Sequence, residues 1–355
     1  MVYPRTDATF AAFNALSVVS QGFAIITIGA SAGGVDALRT IVAAVPPDLS
    51  AAILIVFHIS AHRSDLPWLL GRNGALPAAH GVDGEPIVAG RIYVAPPDHH
   101  MIAENGCIVL IKGPRENWAR PAIDPLFRSA AHSYGRNVIS VVLTGGLNDG
   151  TAGLYAIKAA GGIAVVQDPA DSLVPNMPQS AIANVAVDHV VPAAAIGALL
   201  VRLVGEIVME DMVVTPPDPV IGDAAGRGDT AQFCRNHPVA ITCPDCGGAL
   251  RRSMLGTLTQ FSCHIGHVYT AEVMLAAQFL AMERFVEQAM RSLSERAELC
   301  RQMLVELDDR ADAAAVRQQW HAALHEAVDR TEPLKAVLTR QWVHPGESQR
   351  QGHNC

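Results

Sequence analysis

The chain has 355 residues, half of them hydrophobic, with 34 acidic against 26 basic residues and a formal net charge of −8. That length calls for more than one domain, and the acidic balance sets the chain as a whole apart from basic nucleic-acid binders. No run has the length and unbroken apolarity of a membrane span, and the seven cysteines, an odd number clustered late, suit a reducing compartment and metal ligation rather than a disulfide framework.

Residues 1–22 are mildly apolar around Phe10 and Phe13 but lack a clear small-residue cleavage site. They read as an N-terminal extension rather than a secretory signal, so a cytoplasmic location without membrane insertion is expected. From Phe23 to Leu203 short apolar runs alternate with helical patterns. Strands are predicted over Ala24–Ile28, Ala52–Phe57, Arg91–Ala95, Val138–Leu143, Gly162–Val166 and Asp188–Val191. Helices are predicted over Val35–Ala44, Ser64–Arg72, Ile123–Tyr134, Gly150–Ala160, Met177–Asn184 and Ala193–Val204. Such alternation builds right-handed βαβ units and a doubly wound, mainly parallel α/β sheet covered on both faces. One β-hairpin interrupts it, Met101–Ala103 turning through Asn105-Gly106 into Cys107–Ile111.

The stretch from Ile25 to Asp36 organises the rest. An apolar run ends at Ile28, and Gly29, Ser31 and Gly33 then follow with the spacing of a nucleophile elbow. The glycines let the chain turn sharply and leave the serine hydroxyl exposed at the strand tip. A tight βα turn or a phosphate-cradling loop fits the same residues, although a dinucleotide fingerprint would place glycine where Ser31 stands. His58 follows the apolar run Ile53–Phe57, and Asn148 and Asp149 follow Val141–Leu143 through a glycine-rich turn. All three positions fall just past the C-terminal ends of parallel strands, the edge where sites assemble in open α/β sheets. A serine, a histidine and an aspartate there suit a Ser-His-Asp triad, in which imidazole takes the hydroxyl proton and carboxylate orients imidazole. Taken singly, His58 better suits a loop hydrogen bond and Asp149 a turn or helix cap. His80, His99 and His100 are rival bases and Asp168 a rival acid, and spacing leaves them open.

Gly29-Ala30-Ser31-Ala32-Gly33-Gly34, Phe57-His58, Asp83-Gly84, Tyr93 to Met101, Arg120 to Phe127, Leu143 to Gly150 and Gln167-Asp168-Pro169 together resemble the CheB methylesterase domain, in register from about Phe23 to Leu203. The resemblance implies a doubly wound α/β fold and an enzyme hydrolysing glutamyl γ-methyl esters of bacterial chemoreceptors to glutamate and methanol, with glutamine deamidation as a second activity in many members. Carried over by position, the nucleophile is Ser31, the base His58 and the orienting carboxylate Asp149, with backbone N–H groups of Ala32 and the Gly146 region as oxyanion donors and no cofactor for catalysis. Three positions depart from the familiar pattern: Ala32 stands for threonine, Phe57 for glutamine, and Gly146-Leu147 for Met-Gly. The segment before Ile25 is too short for the receiver domain that family members commonly carry, so constitutive activity or control in trans is expected.

Residues 206–232, rich in Pro and Gly, read as a linker. Cys243-Pro244-Asp245-Cys246 and then Cys263-His264-Ile265-Gly266-His267 have the spacing of a tetrahedral structural zinc site, with Leu250–Phe261 as the hairpin between. The expected ligands are Cys243, Cys246, Cys263 and His267, with His264 the rival fourth ligand and the Cys234–His237 pair incidental. A unit of this size has little core, so metal binding would supply much of its folding energy. Beyond it, apolar residues from Leu275 to Leu307 recur at helical spacing, Asp308, Asp309 and Asp312 mark a turn, and a second helix runs from about Ala313 until Pro333 stops or kinks it. The domains expected are therefore an esterase domain at 23–205, a zinc-ribbon-like unit at 233–268, a helical hairpin at 269–342 and a tail at 343–355. The hairpin suits a homodimer or a partner's helices, and Arg251-Arg252 alone is too little for nucleic acid. A non-catalytic signalling adaptor is the alternative to the enzyme.

Overall fold

The structure is a computed structural model and describes residues 23–58, 64–211, 238–307 and 314–339. It divides into two compact units. The first holds the sheet domain together with Arg251–Thr270; the second holds Pro238–Leu250 and the chain from Ala271 onward.

The first unit is built on a seven-stranded sheet in the order β3-β4-β2-β1-β7-β8-β9. Its strands are β1 (Ala24–Ala30), β2 (Ala51–Phe57), β3 (Ala78–His80), β4 (Ile92–Val94), β7 (Val138–Val142), β8 (Ile163–Gln167) and β9 (His189–Val191). All neighbouring pairs run parallel. Every residue of β1 is buried, as expected for a central strand covered on both faces, which is why it reads as a continuous apolar run rather than an alternation. β1 pairs with β2 from Ala24↔Ala51 to Ala30↔Phe57, so the two strands end level with each other.

Helices α1 (Gly34–Ala43), α2 (Leu66–Asn73) and α6 (Ala193–Asp211) cover one face. Leu38, Ile41 and Val42 of α1 and Leu200, Leu203 and Val204 of α6 repeat at three- and four-residue steps and meet the sheet there. Helices α3 (Ile123–Tyr134), α4 (Thr151–Ala159) and α5 (Asn176–Asn184) cover the other face. The antiparallel hairpin β5 (His100–Glu104) and β6 (Cys107–Ile111) packs on that side through Met101, Ala103 and Ile108.

The mainly parallel, doubly wound sheet and the hairpin insertion agree with the sequence reading. Three details differ. Edge strand β3 was not predicted, since three residues are too few to set up a period of two. Helix α6 continues past Val204 to Asp211.

The third difference lies in the second unit, where α7 (Ala271–Leu307) and α8 (Ala314–Thr339) form a helical hairpin burying Ala297, Cys300, Leu307 and Ala327. The turn read at Asp308, Asp309 and Asp312 lies outside the described residues, as do residues 1–22 and the linker residues 212–232. Pro333 does not stop α8, which runs on to Thr339. Pro333 and Asp329 are both exposed, so the carbonyl that loses its partner lies where water can reach it. Leu334, Val337 and Leu338 meanwhile carry the half-buried stripe onward.

Residues 238–270 carry a four-stranded sheet of β10 (Pro238–Thr242), β11 (Ala249–Leu255), β12 (Leu258–Cys263) and β13 (Val268–Thr270), so the predicted hairpin over Leu250–Phe261 is present with a strand added on either side. β12 and β13 are antiparallel, with Gln260↔Thr270 and Ser262↔Val268.

Candidate active site

β1 ends at Ala30 and α1 begins at Gly34, leaving three residues for the turn that holds Ser31. The turn is fixed from both sides: Ser31 N–H donates to Thr144 O at 3.0 Å, and Gly34 N–H donates to Ser31 O at 2.8 Å. Gly33 has φ +80, a left-handed conformation that glycine adopts without strain. Ser31 thus precedes the N-terminus of α1, where unpaired backbone N–H groups favour negative charge.

His58 follows β2 directly, and its N–H donates to Ala30 O at 3.1 Å. The level ends of β1 and β2 therefore set the Ser31 and His58 backbones side by side. Asp149 arrives from the next strand over, in the loop between β7 and α4. Leu143 N–H bonded to Gly29 O at 2.9 Å ties the start of that loop to β1.

His58 Nε2 lies 2.8 Å from Asp149 Oδ2. The same oxygen accepts the Ile123 N–H at 2.7 Å. Oδ1 accepts the Gly150 N–H at 3.0 Å, the Asn117 Nδ2–H at 3.0 Å and the Asp124 N–H at 3.3 Å. Ile123 and Asp124 open α3, so the carboxylate sits on a helix N-terminus. The Asp149 side chain is 2 % exposed. Burial alone would raise its pKa. The hydrogen bond and charge of His58, the Ile123 N–H and the Asn117 amide outweigh burial and hold it below the usual carboxylate range.

Beside it, burial and the Asp149 charge push the Asp124 carboxyl up to about 8. Asp124 Oδ1 accepts the Gly153 N–H at 2.7 Å and Oδ2 the Asn117 Nδ2–H at 2.8 Å. Asn117 has φ +46 and Trp118 φ +67, uncommon values for non-glycine residues that cluster where a site is being shaped.

Ser31, Ala32, His58, Asn117, Arg120 and Gly146 line a single cavity of about 520 Å³, with Asp149 at its wall. Arg120 is fixed there by Asp98: Nε and Nη2 donate to Oδ1 at 2.8 and 2.6 Å, and Nη1 donates to Gly113 O at 2.6 Å. Hydrogen bonds from Lys112 and Arg120 hold Asp98 down at about 2.

The rival groups are occupied elsewhere. His80 lies 3.3 Å from Val94 O and 3.2 Å from Ser64 O. His99 Nδ1 is 3.0 Å from Pro97 O. Buried His100 bonds Pro114 O at 2.9 Å and accepts the Ala122 N–H at 3.2 Å. Asp168 accepts the Ala170 N–H at 2.8 Å. Asn117 and Asp124 are the participants the sequence reading did not single out. The one available signal was Asp124, an acidic residue in the first turn of α3.

Cys243 N–H donates to Gly248 O and Gly247 N–H to Cys243 O, each at 2.8 Å, forming a tight knuckle. Cys263 and His267 face each other across a second turn, Sγ to Nδ1 at 3.4 Å. The candidate ligand atoms of Cys243, Cys246, Cys263 and His267 lie within 4.8 Å of one another, a Cys3His cluster compatible with a metal site. His264 is exposed, and Cys234 and His237 lie outside the described residues.

Fold and site together define a doubly wound α/β protein with serine, histidine and aspartate gathered at one sheet edge in that chain order. Residues 26–200 match the family model described as CheB methylesterase. A Leptospira interrogans protein is 40% identical over 186 residues, covering 52% of this chain and 96% of its own; its name marks a protein-glutamate methylesterase/protein-glutamine glutaminase activity as provisional. The chain belongs to the CheB methylesterase family.

An Anaeromyxobacter dehalogenans protein-glutamate methylesterase/protein-glutamine glutaminase is 38% identical over 180 residues, and the match spans 50% of this chain and about half, 53%, of that relative. The crystal structure of the Thermotoga maritima CheB methylesterase catalytic domain aligns with a TM-score of 0.50 at 34% identity, covering 51% of this chain and 99% of that one.

Proposed function

We propose that the protein is a serine hydrolase removing methyl esters from glutamyl side chains of a chemoreceptor-type protein, releasing glutamate and methanol, and that it also deamidates glutamines. The observation that carries this reading is the 2.8 Å contact of His58 Nε2 with Asp149 Oδ2, beside a cavity that Ser31 also lines. With Nε2–H donated to the carboxylate, Nδ1 is the imidazole nitrogen left to accept the Ser31 proton. Ser31 Oγ attacks the ester carbonyl as that proton moves. The oxyanion forms at the N-terminus of α1, where the Ala32 N–H and the Gly146 backbone are the proposed donors. Protonated His58 then gives its proton to the departing methoxide, and water hydrolyses the acyl-enzyme by the same route in reverse.

The relatives carry enzyme names and give the adaptor reading no support. Methanol release from a methylated receptor tests the proposal. Ser31→Ala is expected to abolish all but a trace of it, and undiminished release would remove Ser31 from the mechanism.

In the same reading the Cys3His cluster holds a structural zinc within residues 238–268, and four protein ligands leave no open position for catalysis. The chemistry of the donor set supports this: three soft thiolates and an imidazole on two tight turns. The α7–α8 hairpin is the proposed contact for a second copy or a partner's helices. About one zinc per chain is the expected metal content on this reading, and metal-free protein that folds normally would refute it.

A further inference from the structure

Two routes lead from the β12–β13 hairpin to Asp149, one through hydrogen bonds throughout and one through a hydrogen bond to the preceding residue. Along the first, Asn117 N–H donates to Val268 O at 2.9 Å and Asn117 Oδ1 accepts the Thr270 N–H at 3.3 Å. Both backbone bonds orient Asn117 so that its amide donates to Asp149 Oδ1 at 3.0 Å. Along the second, Thr270 Oγ1–H donates to Asn148 Oδ1 at 2.6 Å, immediately before Asp149 in the chain. Thr270 is fully buried, and Asn117 and Asn148 are 5 % and 3 % exposed. Just before β12, Thr257 Oγ1–H donates to Asn184 Oδ1 at 3.0 Å.

We infer that the β12–β13 hairpin is a positioning device for the catalytic carboxylate: Val268 and Thr270 set Asn117 and Asn148, and these set Asp149 against His58. The inference rests on the esterase reading and extends it to residues beyond the matched segment, 26–200. Its physical basis is that a buried carboxylate keeps one orientation only while its donors stay fixed. Bonds to a charged acceptor are the strong class, so loosening their anchor reaches the imidazole. Val268, Thr270 and Asn148 do not line the substrate cavity, whereas Asn117 does, so Thr270 is the position that reports on Asp149 without touching substrate.

Thr270→Val keeps the shape of the side chain and deletes the hydroxyl. Asn117→Gly deletes the amide and suits the positive φ at that position. In full-length protein, each is expected to lower kcat by roughly tenfold or more; KM stays within about twofold in Thr270→Val, and Thr270→Ser restores kcat. The acid limb of the kcat/KM profile should move to higher pH, because a carboxylate with fewer donors attracts the imidazolium more strongly. The downfield Nε2–H resonance of His58, a reporter of its bond to Asp149, should shift in both variants.

Folded variants with unchanged kcat, pH profile and resonance would overturn the inference and leave the esterase reading standing. If wild-type protein neither releases methanol nor reacts at Ser31 with an organophosphonate, the esterase reading fails instead. The His58 resonance then still decides whether the hairpin sets the carboxylate, an unmoved resonance in both variants overturning it.

Discussion

Asp124 and Asp149 face each other across one amide, the Asn117 Nδ2 donating to both at 2.8 and 3.0 Å. Two carboxylates this close and this buried do not share the same charge state at neutral pH. His58 and the N-terminus of α3 favour the charge on Asp149, so Asp124 carries the proton.

The raised Asp124 value has a definite consequence for stability. A carboxyl whose folded pKa exceeds its unfolded one stabilises the fold fully below the unfolded value, near 3.8, and loses that contribution as pH rises through the folded value, about 8. Asp124→Asn removes the titration. Its melting temperature relative to wild type is expected to climb from pH 5 to about pH 8 and to level off above that; parallel curves for the two proteins would contradict the assignment.

In the proposed mechanism Asp149 holds the imidazole tautomer. Replacing it by asparagine lets His58 turn its protonated nitrogen toward Ser31, the wrong one for a base. A fall in kcat of about ten-thousand-fold is expected for Asp149→Asn, with KM little changed, in steady-state methanol release.

Two glycines at the site should respond in opposite ways. A Cβ on Gly29 would collide with the Ile123 side chain, whose residue also donates to Asp149. Gly29→Ala should therefore cost about 1–3 kcal/mol by chemical denaturation, and activity with it. A Cβ on Gly146 meets nothing within 4 Å. Gly146→Ala should stay within about 0.5 kcal/mol of wild type, so a loss of rate there would point to the proposed oxyanion contacts.

The metal and the catalytic rate should be linked. Cys263 ends β12 and His267 directly precedes β13, so the hairpin that contacts Asn117 is the one whose turn carries two proposed ligands. Strong chelation, or Cys263→Ser, is expected to lower both the melting temperature and kcat, and readdition of zinc should restore the chelated protein alone. Retention of full kcat after complete metal loss would separate the two.

Much of this was legible in the sequence. The strands β1, β2 and β7 announced themselves because burial on both faces leaves no polar alternation. Helix α3 was read at its observed limits, Ile123 to Tyr134, because its apolar residues Leu126, Phe127, Ala130 and Ala131 keep helical spacing. Ser31, His58 and Asp149 stood out because each follows such a strand. Asn117 did not, since a lone polar residue in a loop carries no period and its partners lie 7, 32 and 153 positions away. Likewise nothing local in Val268 and Thr270 shows that they meet Asn117, because that contact exists only in the folded chain.

The compact unit that contains the sheet also contains Arg251–Thr270, whereas nearly all of the Leptospira relative is accounted for by the matched segment alone. Homology would therefore place the scissors for a minimal fragment too early. Cut there, this protein would lose buried Tyr269 and Thr270 and the bonds that Thr270 makes to Asn117 and Asn148. A shortened form meant to keep this arrangement therefore carries residues 251–270 as well as the matched segment.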